Sequence, residues 1–270
     1  PEAPSPSAQT GGSLVVSNLM IFEHPLNERM RVFLRLEHLF EKVEYFTPKM
    51  DQWDTRAAVE GLLDILAITA RADIKTELLK EIDRNLSTLV RIGNQPGVDP
   101  AALQGVIADL EHAAGGIHEL NGPIGASARE DDFLKAIAQR SAIPGGACSF
   151  DLPLYHHMLT QSPDRRSERL RHWLQPMSPV SKAIGLLLSL ARTSARPRPL
   201  TAETGFFQEA LDSHAPAQLV RVGLAPELAL FPEISGHKNR FSIRFMRAGT
   251  GGRPVQVRDD VEFALTCCVF

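Results

Sequence analysis

Ile234-Ser235-Gly236-His237-Lys238-Asn239-Arg240-Phe241-Ser242-Ile243-Arg244-Phe245-Met246 is the stretch on which the reading of this chain turns. Read as a strand, its successive side chains point to opposite faces. One face carries Lys238, Arg240, Ser242 and Arg244; the other carries Asn239, Phe241, Ile243 and Phe245. The apolar face anchors such a strand to a core, and the opposite face displays three cations with no acid among them. Arg247, Arg253 and Arg258 follow before the next acid, Asp259. Like charges side by side repel in a sheet, so the row calls for neighbouring acids or an anionic ligand. His237 at the strand entrance adds a group that titrates near neutral pH. A plainer reading stands beside this one: edge strands use lysine and arginine to block aggregation.

Period two continues around this stretch. Leu219, Arg221 and Gly223 alternate with Val220, Val222 and Leu224, and Val255, Val257, Val261, Phe263 and Leu265 predict one or two more strands. Upstream the period is helical. Met30, Phe33, Leu36, Phe40 and Val43 form one apolar stripe; Val59, Leu62, Leu63, Leu66 and Ala70 a second; Ile74, Leu78, Ile82, Leu86 and Leu89 a third, with Asp73 as N-cap. Asp99-Pro100 has the grammar of a helix start, and Leu103, Val106, Ile107 and Leu110 give its stripe, with Gly115-Gly116 as the stop. A shorter helix holds Phe133, Leu134 and Ile137. Further helices are expected over 153–160, 164–174 and 179–194, the last capped by Ser178. The prolines of Arg196-Pro197-Arg198-Pro199 mark a boundary. The expected class is α+β: a tail at 1–18 expected to be disordered, a short strand at 19–25 broken by His24-Pro25, a helical domain at 26–195 and an antiparallel β domain at 196–270.

Composition narrows the function. The chain has 270 residues, 43% apolar and 23% charged, with a net charge of −3. A near-neutral protein with a local cationic row fits a defined patch better than a general nucleic-acid coat. Three cysteines are too few for a disulfide framework and point to a reducing cytoplasm. The apolar run from Ala183 to Ala191 is far short of the ~20 residues of a membrane span, and the N-terminus lacks the charged-then-apolar pattern of a signal peptide. No phosphate loop, dinucleotide fingerprint, zincin helix or nucleophile elbow occurs. His156-His157 is a poor metal pair, because adjacent helical residues point about 100° apart. Cys148, Asp151 and His156 could be drawn as a nucleophilic trio, but Cys148 beside a glycine turn reads more simply as a small buried hydrophobe. No cofactor or metal is expected.

Several stretches, in order, resemble the ZapD family of bacterial cell division proteins. They are Phe22-Glu23-His24-Pro25-Leu26-Asn27-Glu28 with Met30-Arg31, Thr76-Glu77-Leu78-Leu79-Lys80-Glu81, Pro96-Gly97-Val98-Asp99, Ile143-Pro144-Gly145-Gly146 with Ser149-Phe150-Asp151-Leu152-Pro153, and Pro232 with the segment from Ile234 to Met246. The resemblance spans about residues 19 to 268. It implies a cytoplasmic homodimer acting at the midcell division site, with a helical domain and a β domain whose sheet the N-terminal strand joins. It also implies a non-enzymatic adaptor that binds the C-terminal tail of the tubulin-like GTPase FtsZ through a basic pocket and bundles FtsZ protofilaments. On this chain Arg240 is the principal pocket residue, with Lys238, Arg244 and His237 beside it, and Arg247 as a further contributor. Arg129 and His156 match positions where similar sequences carry a basic or imidazole side chain. Asp132 stands where a close family pattern has arginine, and Asp259-Asp260 do not match the last basic positions. No membrane or nucleic-acid partner is expected. The alternative class, a nucleic-acid binder using the same strand, is disfavoured by the 6% aromatic content and by a basic face read as having no interleaved exposed aromatic.

Overall fold

The computed structural model describes residues 18–71, 73–93, 95–212, 217–237, 240–249 and 251–269. They form two compact units: Glu28–Leu190, and the described parts of Pro1–Asn27 and Ala191–Phe270. The class is α+β, and the first strand is part of the C-terminal unit.

The first unit is helical. Helix α1 (Glu28–Phe46) buries the predicted stripe of Met30, Phe33, Leu36, Phe40 and Val43 and packs against α2 (Gln52–Arg71). Helix α3 (Ile74–Ile92) starts where Asp73 accepts the Thr76 N–H, and α4 (Pro100–His118) where Asp99 accepts the N–H groups of Ala101 and Ala102. Three expectations are corrected. Gly115-Gly116 lie inside α4, which continues to His118; its buried residues are Leu110, Ala113 and Ile117, while Leu103, Val106 and Ile107 are half-buried. Two glycines weaken a helix by about 1 kcal/mol each, and full burial of Ile117 offsets much of that. The stripe of α3 includes Glu81 and Asn85, the carboxylate paired with Arg29 at 3.0 Å and with Arg84, as a buried charge requires. The expected short helix is α6 (Asp132–Ser141), with Phe133, Leu134 and Ile137 buried; a further short helix, α5 (Ala126–Glu130), precedes it across an extended Asp131. Ser178 is helical (φ −59°, ψ −35°) and caps nothing, because α8 (Pro163–Leu174) runs through a 3-10 turn into α9 (Ser178–Thr193). Helix α7 (Pro153–Leu159) precedes α8. Among the described residues no helix is long and apolar enough to cross a membrane.

The second unit holds two four-stranded antiparallel sheets. In the first, β1 (Met20–Pro25), β4 (Leu219–Leu224), β8 (Val261–Cys268) and β2 (Arg198–Ala202) lie in that order. In the second, β6 (Arg240–Ala248) lies between β3 (Phe206–Ala210) and β5 (Leu230–His237), and β7 (Pro254–Gln256) pairs with its end. Val222, Phe263 and Leu265 from one sheet and Phe241, Ile243 and Phe245 from the other share one core. The quoted stretch is therefore two strands, not one: β5 and β6 are antiparallel, with His237 opposite Arg240. The missed signal is the asparagine in the sequence between them, a residue type that favours hairpin loops; Lys238 and Asn239 themselves lie outside the described residues. His24-Pro25 does not break the first strand, which pairs with β4 through Pro25 and Leu219; an edge strand tolerates proline. Strands β2 and β3 were not foreseen, the former because Pro199 reads as punctuation yet sits in an edge strand. Glu23 helps hold β1 in place, accepting from Arg221 on β4 at 2.9 Å and from Arg192 at 2.9 and 2.8 Å.

Asp131 joins capping to packing. It accepts the N–H groups of Phe133 and Leu134 and, at 2.9 Å, the Trp173 Nε1–H. Burial alone raises its pKa, but the Trp173 bond, the two backbone N–H groups and Arg169 outweigh it and hold the carboxyl below its ordinary value. A depressed folded-state pKa gives stability that is full above the unfolded pKa near 4 and is lost as pH falls through the folded pKa. Asp131→Ala is thus expected to lower unfolding stability by about 1–2 kcal/mol at pH 7. The gap from wild type narrows below about pH 4, as urea melts at pH 7 and pH 3 will measure.

Candidate functional site

Burial along β6 alternates as the sequence predicts from Arg240 to Phe245. Phe241, Ile243 and Phe245 are 0–1% exposed, Arg240 and Arg244 are exposed, and Ser242 is half-exposed. The strand is central, so the anti-aggregation role of edge cations does not account for its arginines. Register fixes their neighbours. Arg240 faces Ala210 of β3 and His237 of β5; Ser242 faces Gln208 and Ser235; Arg244 faces Phe206 and Glu233. Directly opposed residues lie about 5 Å apart at Cβ, so these three rows make one continuous outer face. Gln208, Ser235, Gly236, Arg240, Phe241 and Ser242 line a depression of about 370 Å³. Neither arginine has an ion pair or side-chain hydrogen bond among the described residues. The face combines open guanidinium forks with hydroxyl and amide groups, a set suited to carboxylates.

The other expected members fall elsewhere. Lys238 and the side chain of His237 lie outside the described residues. Arg247 is exposed, but its position on β6 matches that of Phe241, Ile243 and Phe245, opposite in parity to Arg240 and Arg244. Phe206, 38% exposed and opposite Arg244, corrects the expectation that the basic face has no exposed aromatic. Strand neighbours explain the omission: Phe206, Gln208, Glu233 and Ser235 reach the face from β3 and β5, and pairing is not written in the local pattern of β6. Asp260 precedes β8, is a member of none of these rows, and accepts the N–H of Thr204, which has a left-handed φ of 51°.

Arg129 and His156 belong to the helical unit. The Arg129 guanidinium donates to the Ile124 carbonyl at 3.2 Å and to the Thr69 hydroxyl, tying α5 to α2, and burial lowers its pKa. Asp132 is exposed and pairs with Lys135 at 3.0 Å. His156 is exposed and borders a groove of about 810 Å³ together with Trp53, Arg56, Ile143 and Cys148. Arg56 lies over the rings of Trp53 and Tyr155 and donates to the Ala147 carbonyl. The Cys148 thiol donates to Asp151 at 3.3 Å, a carboxylate that Arg140 approaches at 3.6 Å. In the β unit, burial pushes the Cys268 thiol up to about 11 and raises Cys267 as well, so neither is a thiolate near neutral pH. Among the described residues no three His, Cys, Asp or Glu side chains gather as a metal site.

The arginines therefore divide by what they touch. Arg240→Ala is expected to leave stability within about 0.5 kcal/mol of wild type. Arg129→Ala, which removes charged donors from the carbonyl of buried Ile124 and the hydroxyl of buried Thr69, is expected to cost about 1.5–3 kcal/mol. Urea unfolding of the two variants measures the contrast.

Known proteins add the remaining constraint. The profile of the ZapD family, described as a cell division protein, matches residues 34–244. Cell division protein ZapD of Methylococcus capsulatus is 45% identical over 254 residues, covering 94% of this chain and 100% of that protein. Its namesake in Dechloromonas aromatica is 40% identical over 253 residues, covering 93% and 99%. That of Chromobacterium violaceum is 39% identical over 253 residues, covering 93% and 100%. A match of this length and identity, with a helical unit followed by antiparallel sheets that the first strand joins, places the chain in the ZapD family of cell division proteins.

Proposed function

We propose that this protein is a non-enzymatic division adaptor that binds the C-terminal tail of FtsZ on the outer face of β3, β6 and β5. As a homodimer it then cross-links and bundles FtsZ protofilaments in the cytoplasm at midcell. The observation that carries this reading is the pair Arg240 and Arg244, exposed on a central strand whose other side is locked in the core. Planar guanidinium forks grip carboxylates bidentately, and the adjoining Gln208, Ser235 and Ser242 offer hydrogen bonds to a peptide backbone. Ordering a flexible tail costs entropy, so a single tail binds weakly. Two faces per dimer on a filament displaying many tails turn weak binding into avidity and allow two filaments to be bridged. Within this reading Arg129 serves the fold of the helical unit, and His156, exposed on its groove, is a separate contact for the partner.

Phe206 beside Arg244 gives some support to the second reading, a nucleic-acid binder, because single-strand sites pair aromatics with cations. Glu233 in the same row opposes a polyphosphate backbone, and membership in a cell division family favours the adaptor.

Co-sedimentation with polymerised FtsZ tests the proposal. Wild type is expected to pellet with bundled filaments, less as salt rises, and Arg240→Glu to remain in the supernatant while its circular dichroism stays native. Equal pelleting of both proteins, or bundling indifferent to salt, contradicts the assigned face. A mobility shift with mixed-sequence DNA at moderate salt, together with no pelleting, supports the nucleic-acid reading instead.

A further inference from the structure

The outer face is not uniformly cationic. By register its described positions on β3, β5, β6 and β7 include one acid, Glu233, exposed and directly opposite Arg244. Nearby Glu209 does not contribute, because it has inward parity opposite Phe241 and both its oxygens accept from Arg198 at 2.9 Å. The two ends of the face therefore differ. At the Arg240 row no acid stands opposite the cation. At the Arg244 row Glu233 stands opposite the arginine with no ion pair between the two, so both signs are open to a ligand, and Phe206 adds an aromatic surface on the other side.

We infer that Glu233 is a specificity-determining residue: the face reads an extended peptide of two signs, taking a carboxylate at Arg240 and a lysine or arginine at Glu233. This rests on the tail-docking reading and deepens it. Arg244 lies four positions beyond Arg240 along β6, about 13 Å at strand rise. In an extended ligand the acid and the base are therefore about four residues apart. Between them the Gln208–Ser242–Ser235 row meets the peptide backbone without charge. Phe206 receives the stem of the base, or its cation over the ring. The arrangement also works against wrong partners: a polyanion meets Glu233, and a polycation meets Arg240.

The inference and a simple cationic face differ in the sign of one result. If the face only attracts acids, deleting Glu233 strengthens tail binding; if it reads both signs, deletion weakens it. The experiment is fluorescence anisotropy of a labelled FtsZ C-terminal peptide titrated with wild type, Glu233→Gln and Arg240→Glu at low salt. Glu233→Gln is expected to bind about two- to five-fold more weakly, the range of an exposed ion pair. With every lysine and arginine of the peptide replaced by glutamine, wild type is expected to weaken to the same level and Glu233→Gln to show no further change. Unchanged or tighter binding by Glu233→Gln overturns the inference while loss of binding by Arg240→Glu leaves the docking face standing. Wild-type affinity in Arg240→Glu overturns the docking face itself.

Discussion

Phe241, Ile243 and Phe245 are driven inward by the core they share with Phe263 and Leu265, and that burial dictates where Arg240, Ser242 and Arg244 must stand. In a strand a one-residue slip would exchange the two faces, exposing three apolar side chains and burying two guanidinium groups. The rings make the register specific: Phe245 lies 5.0 Å from Phe263, and Phe207 sits between Phe241 and Phe263 at 6.4 and 5.2 Å. Burial of each such ring is worth about 1.5–3 kcal/mol, far more than the mutual repulsion of two exposed arginines. The cationic face is thus held by hydrophobic packing, with its side chains free to meet a partner.

Much of this was legible in the sequence, and the reasons are physical. Five residues of α1 recur at helical spacing and all five are buried; the alternation of β6 held for six consecutive positions. Capping at Asp73 and Asp99 followed from side-chain chemistry alone. The errors fall where distant structure decides. Gly115 and Gly116 remain helical because Ile117 beyond them is fully buried. Pro25 and Pro199 sit in strands because those strands are at sheet edges. The hairpin was read as one strand because apolar alternation does not reveal a reversal. At the site, Arg240 and Arg244 were visible as a local pattern. Glu233, Ser235, Gln208 and Phe206 were not, since strand pairing brings them from other segments.

The same comparison separates two kinds of basic residue that sequence matching treats alike. Arg129 spends its donors on Ile124 and Thr69 and so belongs to the helical scaffold. Arg240 and Arg244 are held only through their backbone and present their full donor sets outward. Structural arginines of the first kind are costly to remove for reasons unrelated to binding. A loss of activity on their replacement therefore says little about contact with a partner. The β unit carries the two open arginines of this face, and the helical unit carries a separate groove bordered by Trp53 and His156.

Amide chemical-shift mapping of the full chain during titration with the FtsZ C-terminal peptide tests the account most directly. It asks where the peptide sits without altering any side chain. The account predicts that the largest perturbations trace three neighbouring strands, at Gln208, Ser235, Arg240, Ser242 and Arg244. Perturbations confined to the groove around Trp53, Cys148 and His156, with those strands silent, would contradict it.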